Sequence, residues 1–600
     1  RGHASYEALP RSEDVRALGL DPDDPGVSWT LRVVPDLIGF PRHLSIHTGG
    51  FVICEQPLDH LVPIEPASMP GRTVIQWDKD DAETLGLLKL DCLALGMLTA
   101  IRKALSYVHR WTGLPHTMAN IPPEDPATYE LIRKADTVGV FQIESRAQVA
   151  MTKRLQPRTF YDLVIQIALV RPGPIQGGMV HPYLRRRQGI EPVDYPIPAA
   201  EPVLRRTLGV PLFQEQAMQL AIVAAGFTPG EADQLRRAMG AWRKTGVIER
   251  FRAKLLQGMQ ARGIPQAFAE RVFQQISGFG EYGFPESHSA SFALLAYVSC
   301  WLKAHHRAAF LAAVLNSQPM GFYSVGSLVK DAQAGGVSVR PIDVCVSEVD
   351  CTLEPPEIRS PALRLGLCLL RGIAQEARER IVSARQERPF ASIHDLAYRA
   401  KLDSATVKRL ARAGALQSLD TERRHALWQA GWENRARSEP LFANLSPPEL
   451  VAKPPNTLKP FRPAEIVVAD YAHVGFSLAH HPIALLRDAP ELQGCLPAAQ
   501  AEAAPHDGMV QVAGLVLMRQ RPGTAKGVVF LTLEDETGTV NVILWPSMVE
   551  RYRMETFHAC SLRVKARVQR DGDLVHLLVD HMRSLDTVLQ GLRTQPRSFR

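Results

Sequence analysis

"GLLKLDCLALG", residues 86–96, decides how the first part of the chain is read. In an extended chain successive side chains point to opposite faces, so Leu88, Leu90 and Cys92 share one face and Lys89, Asp91 and Leu93 the other. The run is otherwise apolar and reads as an interior strand, with a cation and a carboxylate side by side. Burying the two ions costs several kcal/mol each unless they are paired or bind a metal or a phosphate. The residues themselves leave two readings open, a plain Lys–Asp pair at a sheet edge or a functional face.

Working outward, residues 36–103 alternate short strand-like runs, "GGFVICE", "RTVIQW" and "LLKLD", with Gly and Pro punctuation, which predicts an α+β segment. Residues 1–35 are polar and mixed, with "DPDDPG" as a turn. "HTGGFVI" (47–53) puts two glycines just ahead of a strand, which permits close backbone approach to a ligand or a tight turn. "TVIQWDKDDAETLGLLKLD" gathers Asp78, Asp80, Asp81 and Asp91 in one strand-loop-strand unit. Spacing alone assigns Asp78 and Asp80 as paired ligands with Asp91 as the third. Two magnesium ions about 4 Å apart would then activate a 3′-hydroxyl and stabilise a leaving pyrophosphate.

From about 104 to 345 apolar residues fall at helical spacing, as in "QAMQLAIVAAG" and "AFAERVFQQISG". Residues 346–445 carry "LLRGIAQEARERIVSAR" and "DSATVKRLARAGAL", each resembling half or all of a helix-hairpin-helix, although an ordinary αα-hairpin reads the same way. A Pro-rich stretch including "SPPELVAKPPNTLKPFRP" (446–463) reads as the start of a linker over 446–505. Over 506–590, alternating runs with "ETG" and "RDGD" turns predict a small OB-type β-barrel, poor in aromatics for base stacking.

With 46% hydrophobic residues in 600, there is enough apolar material for about four domains. No apolar run reaches the length of a bilayer span, and no signal-peptide pattern opens the chain, so a cytoplasmic protein without membrane contact is expected. Eight scattered cysteines without a C-x-x-C predict neither a zinc ribbon nor a disulfide framework. The net charge of +7 gathers in "YLRRRQG" (183–189), "LRRAMGAWRK" (235–244), "WLKAHHR" (301–307) and "ATVKRLARAG" (405–414). Any one of these reads as a solvated helix face, but four on separate elements suggest a phosphate-tracking surface. Three further features would suit a triphosphate: Arg171 in "LVRPGPIQGGM" (169–179), Arg236 and Arg237 diverging by about 100° on one helix, and Ser287, His288 and Ser289 at a helix start. His288 is equally read as a capped structural histidine.

"HTGG", "LLKLDCLALGMLT", "GVFQIES" (139–145), "RPGP", "FQEQAMQLA" (213–221), "LRRAMG" and "GFPESHSASFALLAY" follow one another in an order that resembles the catalytic alpha subunits of bacterial C-family DNA polymerases. "FPRHLSIHTGGFV" (40–52), "QWDKDD" (76–81) and "LNSQPMGFY" (315–323) resemble the error-prone, damage-inducible branch, an alternative DNA polymerase III alpha subunit implicated in translesion synthesis.

The resemblance implies a multidomain α+β fold: end of thumb at 1–35, second half of a polymerase-beta-like palm at 36–103, fingers at 104–345, tandem helix-hairpin-helix and clamp-contacting region at 346–445, a linker, and the OB domain. It implies that Asp91 is one of three metal-binding aspartates and Lys89 the basic neighbour of the incoming nucleotide or primer end. The other two aspartates are expected upstream, on a palm strand absent from this chain together with the family's PHP domain, which takes Asp78 and Asp80 out of the ligand set. Arg236 and Arg237, with Arg171, Ser287 and His288, are implied in nucleotide binding, and Lys408, Arg409 and Arg412 in DNA binding.

The implied partners are primed template DNA, deoxynucleoside triphosphates, a Y-family-like polymerase relative and a RecA-like accessory protein, in association with the bacterial nucleoid. "SEPLF" (438–442) has Ser438 where a clamp-binding peptide carries Gln, so contact with the sliding clamp is expected to be indirect. The leading expectation is a template-directed, error-prone DNA polymerase that is catalytically incomplete as this chain. The competing one is a non-catalytic DNA-binding fragment, and a repair protein of OB and helix-hairpin-helix parts is a third.

Overall fold

The computed structural model describes the chain apart from residues 1–11, 18, 38–39, 41–46, 48, 68–70, 172–173, 176, 196, 241–246, 279–283, 356–360, 439–454, 456, 523–524, 573, 590–591, 593–595 and 600. The Leu441 and Phe442 of the clamp-peptide comparison lie outside the described residues, as do the side chains of Arg237 and Asp80. Among the described residues no helix is long and apolar enough to cross a membrane.

The "DPDDPG" turn launches a helix, Pro25–Leu37. Asp24 caps it, its Oδ1 accepting the N–H groups of Gly26 at 2.8 Å and Val27 at 3.1 Å, and Pro25 supplies a helix-compatible φ where no N–H is needed. Two small antiparallel pairs follow: Gly50–Ile53 with Leu88–Asp91, and Ile64–Pro66 with Thr73–Ile75. Among the described residues, the core beneath them buries Val62, Ala82 and Leu87.

The strand read as interior is therefore exposed. Register pairs Phe51 with Leu90 and Ile53 with Leu88, so all four share one face, and they retain 52, 46, 49 and 57% of their surface. Lys89 and Asp91 lie opposite Val52 and Gly50 on the other face. Period-two alternation was legible, but which face meets a core depends on what packs there.

From Leu95–Thr112 onward the chain is mainly helical. Helix Phe160–Leu169, buried from Asp162 onward, packs on the long helix Glu286–His305 at the centre of one continuous core. A capping box at Thr159 and Asp162 starts the first of these helices. That core runs on into the helix-hairpin-helix region through a three-stranded sheet, Val339–Arg340, Thr352–Glu354 and Ala362–Arg364. The sequence reading missed this sheet because its strands are only two or three residues long.

Residues 463–505, expected to belong to a linker, are folded instead. Helix Pro463–His473 and the turns after it bury Val467, Tyr471, Ile483 and Leu492 against Ala513, Leu515 and Leu585 of the barrel. The barrel strands are Met509–Gln520, Val529–Glu534, Thr539–Leu544, Ser561–Asp571 and Leu574–Ser584. The first and fourth also pair, which closes the five into the expected OB-type barrel around a Val- and Leu-rich core.

Candidate functional site

Asp91 ends the exposed strand, opposite Gly50. His47 Nε2 lies 2.9 Å from Asp91 Oδ1, while His47 Nδ1 accepts the Gly49 N–H at 3.1 Å. An imidazole nitrogen that accepts carries no proton, so Nε2 carries it and donates to the carboxylate. The first glycine of "HTGG" has a packing reason. A Cβ on Gly49 would stand 2.2 Å from the Cys92 carbonyl, and Gly49 O itself accepts the Cys92 N–H at 2.8 Å. The two motifs "HTGG" and "KLD" thus meet as one unit.

Asp78 is taken up elsewhere. Its Oδ1 accepts the Asp81 N–H at 2.9 Å, and Asp81 Oδ2 accepts the Asp78 N–H at 3.3 Å, a reciprocal cap on helix Lys79–Thr84. Asp80, paired with Asp78 in the assignment from spacing alone, has its side chain outside the described residues. Asp91 can supply one ligand of a metal ion, but among the described residues no group of three or more His, Cys, Asp or Glu could hold one. The described side chains do not by themselves fit a two-metal centre.

A second constellation joins three motifs that are far apart in sequence. Arg171 donates to Gln142 Oε1 at 3.0 Å, and its guanidinium stacks 4.6 Å from the centroid of Phe284. The His288 ring lies 5.2 Å from Phe284 and 4.3 Å from Phe292, and Phe292 meets Phe141 edge-on. Burial and then the Arg171 charge hold His288 below the usual histidine range, so its ring is neutral at pH 7. Of the other residues at this helix start, Ser287 is exposed and Ser289 is buried, donating to Val164 O at 2.5 Å. The helix N-terminus already has an acceptor, because the Glu286 N–H donates to Glu215 Oε2 at 3.1 Å. Arg236 sits on another element, helix Pro229–Gly240, held by Asp233 at 2.9 Å.

The four basic clusters divide. In "YLRRRQG" Arg187 grips Asp162 at 2.6 Å, and Arg185 and Arg186 pair with Glu191. In "WLKAHHR" the fully buried Lys303 lies 2.8 Å from both Asp136 and Asp331, Arg307 bonds Asp136, and His305 meets Asp125. In "LRRAMGAWRK" Arg236 is paired with Asp233. The described cations of these three clusters are thus engaged in ion pairs, while the side chains of Arg237, Arg243 and Lys244 lie outside the described residues. Asp233 and Glu191 are sequence neighbours of the arginines they meet, whereas Asp162, Asp136, Asp331 and Asp125 come from other elements and carry no local signal.

On helix Ser404–Arg412, by contrast, Arg409 and Arg412 are exposed and form no ion pair among the described residues. The Arg409 side chain lies against the Gly372 turn, and both arginines bear on His473. Lys408 is half-buried on the same helix.

A carboxylate-bearing sheet, a large helical body, helix-hairpin-helix turns with exposed arginines and an OB barrel, in that order, define a multidomain nucleic-acid-binding protein. Family models agree part by part: the bacterial DNA polymerase III alpha NTPase domain over residues 5–94, its finger domain over 97–263, a helix-hairpin-helix motif over 336–426 and an OB-fold nucleic acid binding domain over 510–585. The chain is 52% identical to an error-prone DNA polymerase of Methylococcus capsulatus, covering 100% of this chain and 58% of that protein. It is 53% identical to one of Alkalilimnicola ehrlichii, with 98 and 57% covered. The chain therefore belongs to the bacterial DNA polymerase III alpha family, on the side of proteins named error-prone DNA polymerase, and spans somewhat over half their length.

Proposed function

We propose that this chain is the larger part of a template-directed, error-prone DNA polymerase that acts in translesion synthesis during damage-induced repair. The observation that carries the reading is the exposed face on which Asp91, oriented by His47, stands two residues from Lys89 and opposite Gly50. Asp91 offers one carboxylate to a magnesium centre completed by residues outside this chain, and such a centre supplies the charge stabilisation that nucleotidyl transfer needs. Lys89 faces the incoming nucleotide or primer end.

Arg171 and His288, which share one aromatic cluster, act with Ser287, Arg236 and Arg237 on the triphosphate. Arg409, Arg412 and Lys408 track the template–primer backbone, where charge gives affinity without reading sequence. Action alongside a Y-family-like relative and a RecA-like accessory protein, with the sliding clamp reached indirectly, belongs to the same proposal.

Primer extension with Mg²⁺ tests it. The protein extended to its relatives' full length should incorporate nucleotides and lose that ability with Asp91→Ala. Activity that survives Asp91→Ala overturns the assignment of the site. A second reading, a non-catalytic DNA-binding module, draws on the lone carboxylate, and it predicts a full-length protein that binds primed DNA without extending it.

A further inference from the structure

Barrels of this type bind a nucleic-acid strand across the outer face of strands two and three, flanked by the loops joining strands one to two and four to five. Here the helical body contacts that same region at three points. Arg146, at the start of helix Arg146–Leu155, donates to Leu531 O and, at 2.6 Å, to Thr532 Oγ1 on the second barrel strand. Lys330, from helix Val325–Ala334, lies 3.0 Å from Glu534 at the end of that strand. Arg154 lies 2.5 Å from Asp571, at the turn between strands four and five.

Arg146 shows that the first contact is a built latch. It has no carboxylate partner among the described residues, its Nε is buried without a hydrogen bond, and burial holds its guanidinium at about 10, well below the usual arginine range. Among the described residues, its hydrogen bonds go to the barrel's carbonyl and hydroxyl, which offset its desolvation.

The same face is equipped for a ligand. Phe530 and Ile543 are paired outward positions beside Thr532 and Asn541, and Trp545 follows at 52% exposure, offering rings for base stacking. Beside the third contact opens a cleft of about 880 Å³, where Lys153, Arg154, Arg158 and Arg187 outnumber Asp162 and Asp571.

We propose that the helical body and a single strand of DNA compete for this one face of the barrel. Arg146, Lys330 and Arg154 hold the barrel closed on the helical body, and a strand stacking along Phe530 and Trp545 reaches Thr532 and the cleft only as these contacts release. The inference rests on the DNA polymerase reading above and adds to it a barrel whose DNA-binding face is also its docking face.

Fluorescence anisotropy with a labelled oligothymidylate, on the whole 600-residue chain, tests it. Arg154→Asp subtracts positive charge from a face that must meet phosphates, so plain electrostatics predicts weaker binding. Competition predicts tighter binding by about three-fold, the worth of one exposed ion pair. Asp571→Arg should act alike, and the double swap should return to wild type. Arg146→Ala should tighten binding by about ten-fold, since hydrogen bonds from a buried charge are lost from the docked state alone. Small-angle scattering should show the radius of gyration rising in these variants and in wild type saturated with the oligonucleotide. Unchanged or weaker binding by Arg154→Asp and Arg146→Ala overturns the competition while wild type still binds primed duplex. A wild-type chain that binds neither form of DNA overturns the polymerase reading itself.

Discussion

His47 donates from Nε2 to Asp91 Oδ1 at 2.9 Å while its Nδ1 is tied to the Gly49 N–H, so the ring is held from both sides and aims one carboxylate oxygen. The tie links the glycine turn to the strand that carries Lys89. It makes His47 a positioning residue for Asp91, a role that the run "HTGG" does not announce.

Removing the ring should loosen Asp91 without deleting it. In the full-length protein His47→Ala should lower incorporation by about ten-fold or more and raise the Mg²⁺ concentration for half-maximal rate, as loss of a ligand-orienting partner does. His47→Gln, which keeps an N–H donor, should recover part of both. Equal Mg²⁺ dependence in wild type and His47→Ala would count against the role.

Asp162 gives a pH signature. Burial pushes its carboxyl up, but the Arg187 guanidinium and the main-chain N–H groups of Arg158 and Thr159 outweigh that and hold it below the ordinary aspartate range. A lowered folded-state pKa stabilises the fold above the unfolded value near ~3.9, and the contribution fades as pH falls through the lower folded value. Asp162→Asn should therefore cost about 3 kcal/mol at pH 7, with the gap to wild type narrowing below about pH 4, read from urea melts across that range.

Lys303 sits between Asp136 and Asp331, each at 2.8 Å, and also donates to Val138 O at 2.9 Å. Lys303→Ala should destabilise the helical body by about 3 kcal/mol, because two half-buried carboxylates lose a fully buried counter-charge. Adding Asp331→Asn should restore part of the loss, which a double-mutant cycle by chemical denaturation would detect.

Arg409 and Arg412 are the exposed, unpaired cations of the four basic clusters among the described residues discussed above. Replacing either with Ala should weaken binding to primed DNA of any sequence and reduce the slope of log affinity against log salt by about 0.9. The same change at Arg307, which is committed to Asp136 and Asp331, should leave the slope unaltered while lowering stability.

Local patterns carried much of the architecture. The barrel strands follow from residues such as Val529, Leu531 and Leu533 alternating with Phe530 and Thr532, which a pleated chain must place on opposite faces. The start of Phe160–Leu169 rests on an equally local device that the sequence reading did not use, since Thr159 and Asp162 satisfy the helix's first N–H groups within four residues. The short strands at 339–364 and the folded stretch after residue 463 escaped notice, because their stability comes from neighbours supplied by other parts of the chain.

The sequence by itself determined the main helical and strand segments, the OB barrel and the placement of Lys89 and Asp91 on one strand face, all consequences of side-chain spacing along a single segment. Tertiary structure alone decided which charges are spent. Asp162 reaches Arg187 across 25 residues, Lys303 reaches Asp136 across more than a hundred, and Arg146 crosses 386 residues to Thr532. Coulombic and hydrogen-bond energy depends on separation in space, not along the chain, so the same arginines read as a DNA surface until the fold shows their partners.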